Sequence, residues 1–535
     1  MATYDGIILG AGHNGLILQA YLGKAGFKTL CIERLPVAGG GLATQEDPRH
    51  PGFLHNTHAF FQRAITAMPW YADLDLERHG AHYIEPELNV ALLTSNGSAL
   101  QWWTDIDKTA QSFAEFSQRD ADTLKRWQSE FIPIVQKILI PEAKSPPLPV
   151  AERKSLLSKS AAGRHLLEVS ELSPLEFVHR EFEHPTVKAG LLYFNGLREV
   201  DLRLRGFGHH IAALLASPAK AQMSRGGTAA LARALQAAAR EAGGDIRTMT
   251  QPSRIIVENG RAVGIELSDG EIIEARHFIC SSLNPQQTFL ELLDDAHLPH
   301  KIRDQAANFK YNLLAPLFAL HLNLHEPPRY TASDQQPELA KAFMVILGLD
   351  HVDQFDDIVR HHEAGTIPPP VMWGASPTVF DSSQAPAGKH TAFMWEKLPY
   401  RLQGDAKNWD KAANDHGRNM LHLWQRYAPN LSDCVIDSFV RSPLDVERSL
   451  PTMREGDLLI GAFSDGQIGS DRPFAGAGQY RTHLPGLYLC GSSSHPGGNV
   501  TGLPAYNAAQ VILADHGSQP AWAPLSIAKQ FAELS

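Results

Sequence analysis

Polar and apolar positions follow two rhythms along this chain. The apolar run Tyr4 to Leu9 stops at a glycine turn, a helix-period stretch follows, and a second apolar run ends near Arg34. Residues 4–34 therefore predict strand, turn, helix, strand. A polar stretch rich in glycine and histidine continues to about residue 65. From about 107 to 240 the period is helical, broken at 141–149 by PEAKSPPLP, which predicts a surface loop. Residues 228–241 (TAALARALQAAARE) predict an alanine-rich helix. DIRTM, RIIVENGRAVGIEL and EIIEARHFICSS predict short strands turned at Asn259-Gly260 and Asp269-Gly270. Residues 310–400 are strand-like with aromatic content, interrupted by Pro368-Pro369-Pro370 and Ala385-Pro386, and 405–428 return to helix. At 486–515 a strand, GLYLC, leads through a glycine-rich loop into the helix LPAYNAAQVILA. A parallel-sheet signature thus stands at both ends, with a different domain between. Trp127, Phe131, Ile134 and Ile138 make a helical stripe interrupted by Pro133; it reads as core packing ahead of a membrane-docking face.

The 535 residues fit two to four domains or interleaved subdomains at ~100–200 residues each. With 43% hydrophobic and 20% charged residues the chain can bury a large core, which excludes disorder and coiled coil for the whole. A net charge of −10 argues against non-specific nucleic-acid binding. Cys31, Cys280, Cys434 and Cys490 have no CxxC spacing and read as reduced, buried thiols, so disulfide reductase chemistry is excluded. No uninterrupted apolar stretch of ~18–20 residues stands in the sequence, and the strand-like run from Tyr4 with no basic region before it leads us to expect no signal peptide. A cytoplasmic protein is expected, with at most peripheral membrane contact and an open oligomeric state.

Three motifs carry chemistry. Gly10-Ala11-Gly12-His13-Asn14-Gly15 follows a strand and opens a helix, and Glu33 stands 18 residues after Gly15, at the end of the next strand. In this setting Gly10 makes a tight turn, Gly12 admits a pyrophosphate to the backbone and Gly15 lets helix and strand pack closely. The helix N-terminus offers free N–H groups to phosphate, and Glu33 can accept from a ribose diol. Gly39-Gly40-Gly41, just after Glu33-Arg34, reads either as a flexible loop or as a chain passing close to the ribityl and pyrophosphate of a flavin dinucleotide. The C-terminal Leu489-Cys490-Gly491-Ser492 and His495-Pro496-Gly497-Gly498-Asn499-Val500-Thr501-Gly502 precede a helix with Pro504 in its first turn. That helix start would favour negative charge on a reduced flavin. Gly476-Ala477-Gly478 lacks a third glycine and a following helix, so a second, NAD(P)H-binding domain is not expected.

These motifs, with Arg225-Gly226-Gly227 before the alanine-rich helix, resemble the phytoene desaturase-related FAD oxidoreductases. SPTVFDSSQAPAGKHT (376–391), SPLDVERSLP (442–451) and GQIGSDRP (466–473) resemble in particular the branch of the pyridine nucleotide-disulfide oxidoreductase domain 2 proteins. The resemblance is thinnest over 66–225 and 290–370. It implies an α/β fold: a Rossmann-type, glutathione reductase-like FAD domain assembled from 1–65, 221–290 and 481–535. An α+β substrate domain, from 66–220 and 291–480, would be inserted in it. It also implies that Gly10, Gly12, His13, Asn14 and Gly15 surround the pyrophosphate, Glu33 and Arg34 the adenosine, and Gly40 and Gly41 the cofactor. Gly491 and Ser492 would reach pyrophosphate and ribityl, and Val500, Thr501 and Gly502 the flavin. In Gln251-Pro252-Ser253 the family's valine is replaced by Pro252, which has no N–H, so that adenine contact is altered, and Ser253 is the cofactor-binding candidate of this segment.

The expected activity is FAD-dependent removal of a hydride from a C–H bond of a small or medium organic substrate, with oxygen, a quinone or another acceptor taking the electrons. The alternatives are a non-redox enzyme using reduced FAD and an FAD-containing interaction protein. The catalytic candidates are His495 in the flavin-side loop, His58 (with His55, Phe60 and Phe61 lining a pocket), Arg472 orienting a carboxylate or forming an ion pair, and Tyr506 beside Asn507. The HxxH pair His55 and His58 has no third ligand nearby, so no metal is expected. His209-His210 and His361-His362 read as solvated.

Overall fold

The computed structural model describes residues 3–194, 200–217, 221–464, 466–520, 522 and 524–534. Two seven-stranded sheets organise it. In the first, the parallel strands Asp245–Arg247, Thr29–Ile32, Thr3–Leu9 and Ile272–Ser281 lie side by side in that order. Leu487–Leu489 joins Ile272–Ser281 in parallel, and the antiparallel hairpin Pro252–Glu258/Arg261–Leu267 extends the sheet beyond it. Strands from both ends of the chain therefore share one sheet, and the strands of the second sheet come from the sequence between them.

The continuous apolar runs of these strands follow from burial on both faces. Ile8, Cys31, Phe278 and Cys280 face the helices His13–Lys24, Ala229–Glu241 and Leu503–Asp515. Ile7, Leu9, Leu30 and Ile279 face the opposite layer. All four cysteines are free and buried.

The second sheet runs Val435–Arg441, Leu317–Leu324, His390–Lys397, Met372–Ala375, Met344–Leu347, Leu88–Leu93, Ala99–Trp103. It is antiparallel except where Met344–Leu347 meets Leu88–Leu93. Phe318, Leu320 and Leu322 pack with residues of helix Trp409–Tyr427, whereas Leu317, Ala319, Phe393 and Trp395 face the other way, into the core shared with the helical segment. Leu88–Leu93, Ala99–Trp103 and Val435–Arg441 were not among the strands expected from sequence, because each is a short run next to helix-period residues.

The Trp127, Phe131, Ile134, Ile138 stripe is fully buried, and Trp127 stacks on Phe177 at 4.6 Å, so core packing explains it. Pro133 sits inside helix Gln118–Ile134, and a π-helical turn, Val135–Leu139, follows it. The expected loop 141–149 is less exposed than read. Helix Ile140–Ala143 enters it, and Asn507 Nδ2 donates to Ala143 O and Ser145 O, tying it to the C-terminal helix. Among the described residues no helix is long and apolar enough to cross a membrane.

Candidate functional site

A cavity of about 880 Å³ runs from the C-terminal edge of the first sheet to the inner face of the second. It stands toward the upper end of the roughly 300–1,000 Å³ typical of small-molecule sites. At one end Glu33, Arg34, Leu35, Gln251 and Pro252 line it. Glu33 is only 7% exposed. Its Oε2 accepts from the Ala11 N–H at 3.1 Å and its Oε1 from the Leu35 N–H at 3.0 Å, which fixes the carboxylate at the wall. Burial raises its pKa, although those N–H groups and Arg34 pull the other way.

Next along the cavity comes the start of helix His13–Lys24. Gly12 is its N-cap, with no side-chain cap and no acidic residue in the first turn, so the N–H groups there are left for a ligand. A Cβ added at Gly12 would meet nothing within 4 Å, whereas one at Gly15 would overlap the Gly10 carbonyl oxygen. The second glycine leaves room in the cavity; the third exists for packing. The His13 ring hydrogen-bonds the Asn499 backbone, while its Nε2 and the Asn14 Oδ1 are buried without a protein partner. Gly39 donates to Ala11 O at 2.8 Å, and Gly40, at φ +56°, would place a Cβ 3.1 Å from Gly12 Cα. The second glycine cluster is thus a close approach of two backbones. Its alternative reading as a flexible loop is set aside on that contact.

From the C-terminal segment Ser492, Asn499, Val500, Thr501 and Leu503 line the cavity, and Ser492 Oγ accepts from Asn14 Nδ2 at 3.3 Å. Gly491 and Gly502 do not reach it. An added Cβ would strike the Ser282 carbonyl at Gly491, and Ile17 and Trp70 at Gly502. Ser253 also lies off the wall: it is exposed and its hydroxyl donates to Glu266 O at 3.0 Å.

The far end is apolar, with Phe60, Phe61, Trp373, Trp395, Leu139 and Ile140 in its wall. Lys397 enters there, its Nζ donating to Ala315 O at 2.7 Å and lying 5.5 Å from the Trp373 ring centroid. Phe393, Trp395 and Lys397 alternate on strand His390–Lys397, so one face of that strand carries all three. The period was legible in the sequence; which face met the cavity was not.

Several expected roles are corrected here. His495 does not line the cavity. Its Nε2 donates to Glu142 O at 3.0 Å, and burial lowers its pKa to about 4. Arg472 forms neither of the expected carboxylate contacts. It is fully buried, donates to the carbonyls of Gly461, Ala462, Gln467 and Ser492, and stacks on Phe463 at 4.4 Å. Tyr506 packs against Tyr21 and Trp522, away from the wall. His58 does line the cavity, but both its nitrogens are engaged. Nε2 lies 3.3 Å from Ser449 Oγ and Nδ1 2.9 Å from Thr57 Oγ1, so one ring nitrogen donates and the other accepts. His58 is therefore a neutral wall residue without a nitrogen to spare as a base. His55 bonds Asn323 Oδ1 and lies off the wall. His209 and His210 are not solvated but line the cavity, and His362 is buried between Leu313 O and Lys397 O. Asp47, His50 and Asp437 come together near the surface, with Arg49 Nη1 3.0 Å from Asp437 supplying the opposing charge.

Burial holds His13, His55, His362 and His495 at about 4. Unfolding frees them to titrate near the ordinary ~6.5, so between those values the unfolded chain binds more protons. Stability is then fully present above pH ~6.5 and is lost as pH falls toward 4. Urea midpoints measured at pH 7, 5.5 and 4.5 are expected to drop steadily. A flat profile would mean these rings reach solvent in the native state.

Residues 8–73 match the NAD(P)-binding Rossmann-like domain family. The chain is 30% identical to a subunit of the limonene dehydrogenase of Castellaniella defragrans, over 97% of this chain and 96% of that protein. It is 28% identical to the pyridine nucleotide-disulfide oxidoreductase domain-containing protein 2 of Rattus norvegicus, over 96% and 94%. It is 21% identical to the lycopene-forming phytoene desaturase of a Paracoccus species, over 97% and 99%. Among solved structures, cyclohexylamine oxidase from Brevibacterium oxydans shares the fold, with a TM-score of 0.60 at 14% identity over 96% of this chain and 99% of that one.

Proposed function

Because the chain belongs to the phytoene desaturase-related family of FAD-dependent oxidoreductases, we propose that it dehydrogenates an apolar organic substrate held against Trp373 and Trp395. The observation that carries this reading is one continuous cavity joining an uncapped, glycine-opened helix start to an aromatic end. The donor set fits FAD, with unclaimed N–H groups for phosphate, the fixed Glu33 carboxylate for a ribose diol, and empty space at Gly12. Gly10, Gly12, His13, Asn14 and Ser492 would hold the pyrophosphate, Glu33, Arg34 and Pro252 the adenosine, and Gly40, Gly41, Val500 and Thr501 the remainder. Bound FAD supplies a hydride acceptor.

The chain's own residues provide the setting. Phe60, Phe61, Trp373 and Trp395 displace water and orient an apolar body by shape. A substrate of this kind loses a hydride and a proton, gaining a C=C, C=N or C=O bond. The 30% identity to a limonene dehydrogenase component is consistent with an apolar substrate.

The purified protein is expected to show flavin absorption that bleaches with anaerobic dithionite and returns with an electron acceptor. Rapid return in air alone would mark an oxidase, and return only with a quinone or dye a dehydrogenase. Catalysis only after pre-reduction, without net electron transfer, would favour the non-redox alternative. A protein that stays colourless with added FAD would overturn the reading.

A further inference from the structure

Behind the cavity wall, at the end of strand Val435–Arg441, stands a cation with no carboxylate in direct contact. Arg441 is opposite Ala319 in the second sheet, largely buried. Its Nη2 donates to Ser449 Oγ at 2.7 Å and lies 3.3 Å from His58 Nε2; its Nη1 lies 3.4 Å from Thr57 O and 3.5 Å from His58 Nδ1. One guanidinium nitrogen faces each imidazole nitrogen, so the fork lies along the His58 ring. Among the described residues no carboxylate is within 4.0 Å of it. Asp445, the acidic group that acts on it, gives its oxygens to Ser442 and Arg448. The other titratable groups around it are the buried, neutral His58 and His321.

Holding a guanidinium away from water with no anion beside it is costly, and negative charge arriving in the cavity would offset part of that cost. His58, which separates Arg441 from the cavity, lies beside Gly41: a Cβ added to that glycine would come 3.8 Å from His58 Cβ. The adenosine-side residues Glu33 and Pro252 mark the opposite end of the cavity. The charge therefore faces the portion that the redox-active end of the cofactor would occupy.

We propose that Arg441 is a positioning residue for the flavin: through His58 it sets a positive charge against the negative charge that two-electron reduction leaves on the ring, and so makes the bound FAD easier to reduce. The proposal rests on the FAD reading above. Electrons balance without a further partner, because it concerns only the equilibrium between oxidised FAD with an external two-electron reductant and reduced FAD with that reductant oxidised.

The test equilibrates substrate-free holoprotein with a redox dye of known potential. Arg441→Gln is expected to shift the oxidised-to-reduced ratio at least ~10-fold toward oxidised FAD, about 30 mV for a two-electron couple. Arg441→Lys should recover at least half of that shift, because it keeps the charge. Sulfite, which adds to flavin as an anion, should bind more weakly to the Gln variant in the same proportion. A Gln variant indistinguishable from wild type overturns the proposal, as does a Lys variant shifted equally, since the effect would then be structural. An effect on substrate KM with an unshifted potential would assign the charge to an anionic substrate and likewise overturn it. Should Arg441→Gln not fold, Arg441→Met, which removes the charge and leaves no polar group to bury, carries the same expected shift, and an unshifted Met variant overturns the proposal. A colourless wild type refutes the FAD reading; a coloured one with unshifted variants refutes only this inference.

Discussion

Gly12→Val is expected to abolish tight FAD binding while leaving the apoprotein folded, and Gly15→Ala to do the reverse. At Gly12 the backbone is extended (φ −71°, ψ 176°) and a new Cβ meets no protein atom. The chain tolerates the side chain at the cost of a poorer N-cap, about 1 kcal/mol. The same side chain fills the space that a pyrophosphate must enter. A rise in the dissociation constant of at least ~100-fold, roughly 2.7 kcal/mol, should follow. At Gly15 the new Cβ overlaps the Gly10 carbonyl, so the helix must move away from its strand. A loss of about 3 kcal/mol or more is expected with or without cofactor. Urea unfolding of the apoproteins and fluorescence titration with FAD separate the two. If Gly12→Val destabilises the apoprotein as much as Gly15→Ala, the opening at Gly12 is not ligand space.

Arg472→Gln should be the most damaging change outside the glycine motif. Its guanidinium, fully buried, binds four backbone carbonyls from two stretches of chain, residues 461–467 and Ser492. Removing the fork takes the side-chain donor from the Gly461, Gln467 and Ser492 carbonyls, while Ala462 O keeps the Gln467 amide, and a loss on the order of 3–5 kcal/mol is expected. Arg472→Lys should restore less than half, because one ammonium cannot reach four carbonyls in a planar fan. Unfolding curves at neutral pH measure both. A Lys variant with wild-type stability but no turnover would return Arg472 to the chemistry.

His495 and Arg472 show how motif reading goes astray. Both stand within or beside conspicuous glycine-rich segments, which made them look chemical. Their partners are Glu142 O, 353 residues away for His495, and local carbonyls for Arg472, so each braces the loop that carries Ser492 and Val500. The reverse error occurred with His209, His210 and Lys397, which no motif marks and which line the cavity. A better use of the period of two could have grouped Phe393, Trp395 and Lys397 on one strand face, opposite Glu396, which pairs with His416 at 2.6 Å. It could not have told which of those two faces is the cavity.

The dinucleotide end of this protein is written locally: strand, Gly10 to Gly15, helix and Glu33 lie within a single short unit. Short-range sterics and an uncapped helix start are enough to specify that unit. The joining of the two chain ends into one sheet was also legible, because continuous apolar strands demand cover on both faces. The other end exists only once the chain has folded. There the wall is assembled from His58, Val135, His210, Trp373 and Lys397, which are far apart in the chain. Burial, strand register and the placing of Arg441 behind His58 are properties of packing, and no local pattern encodes them.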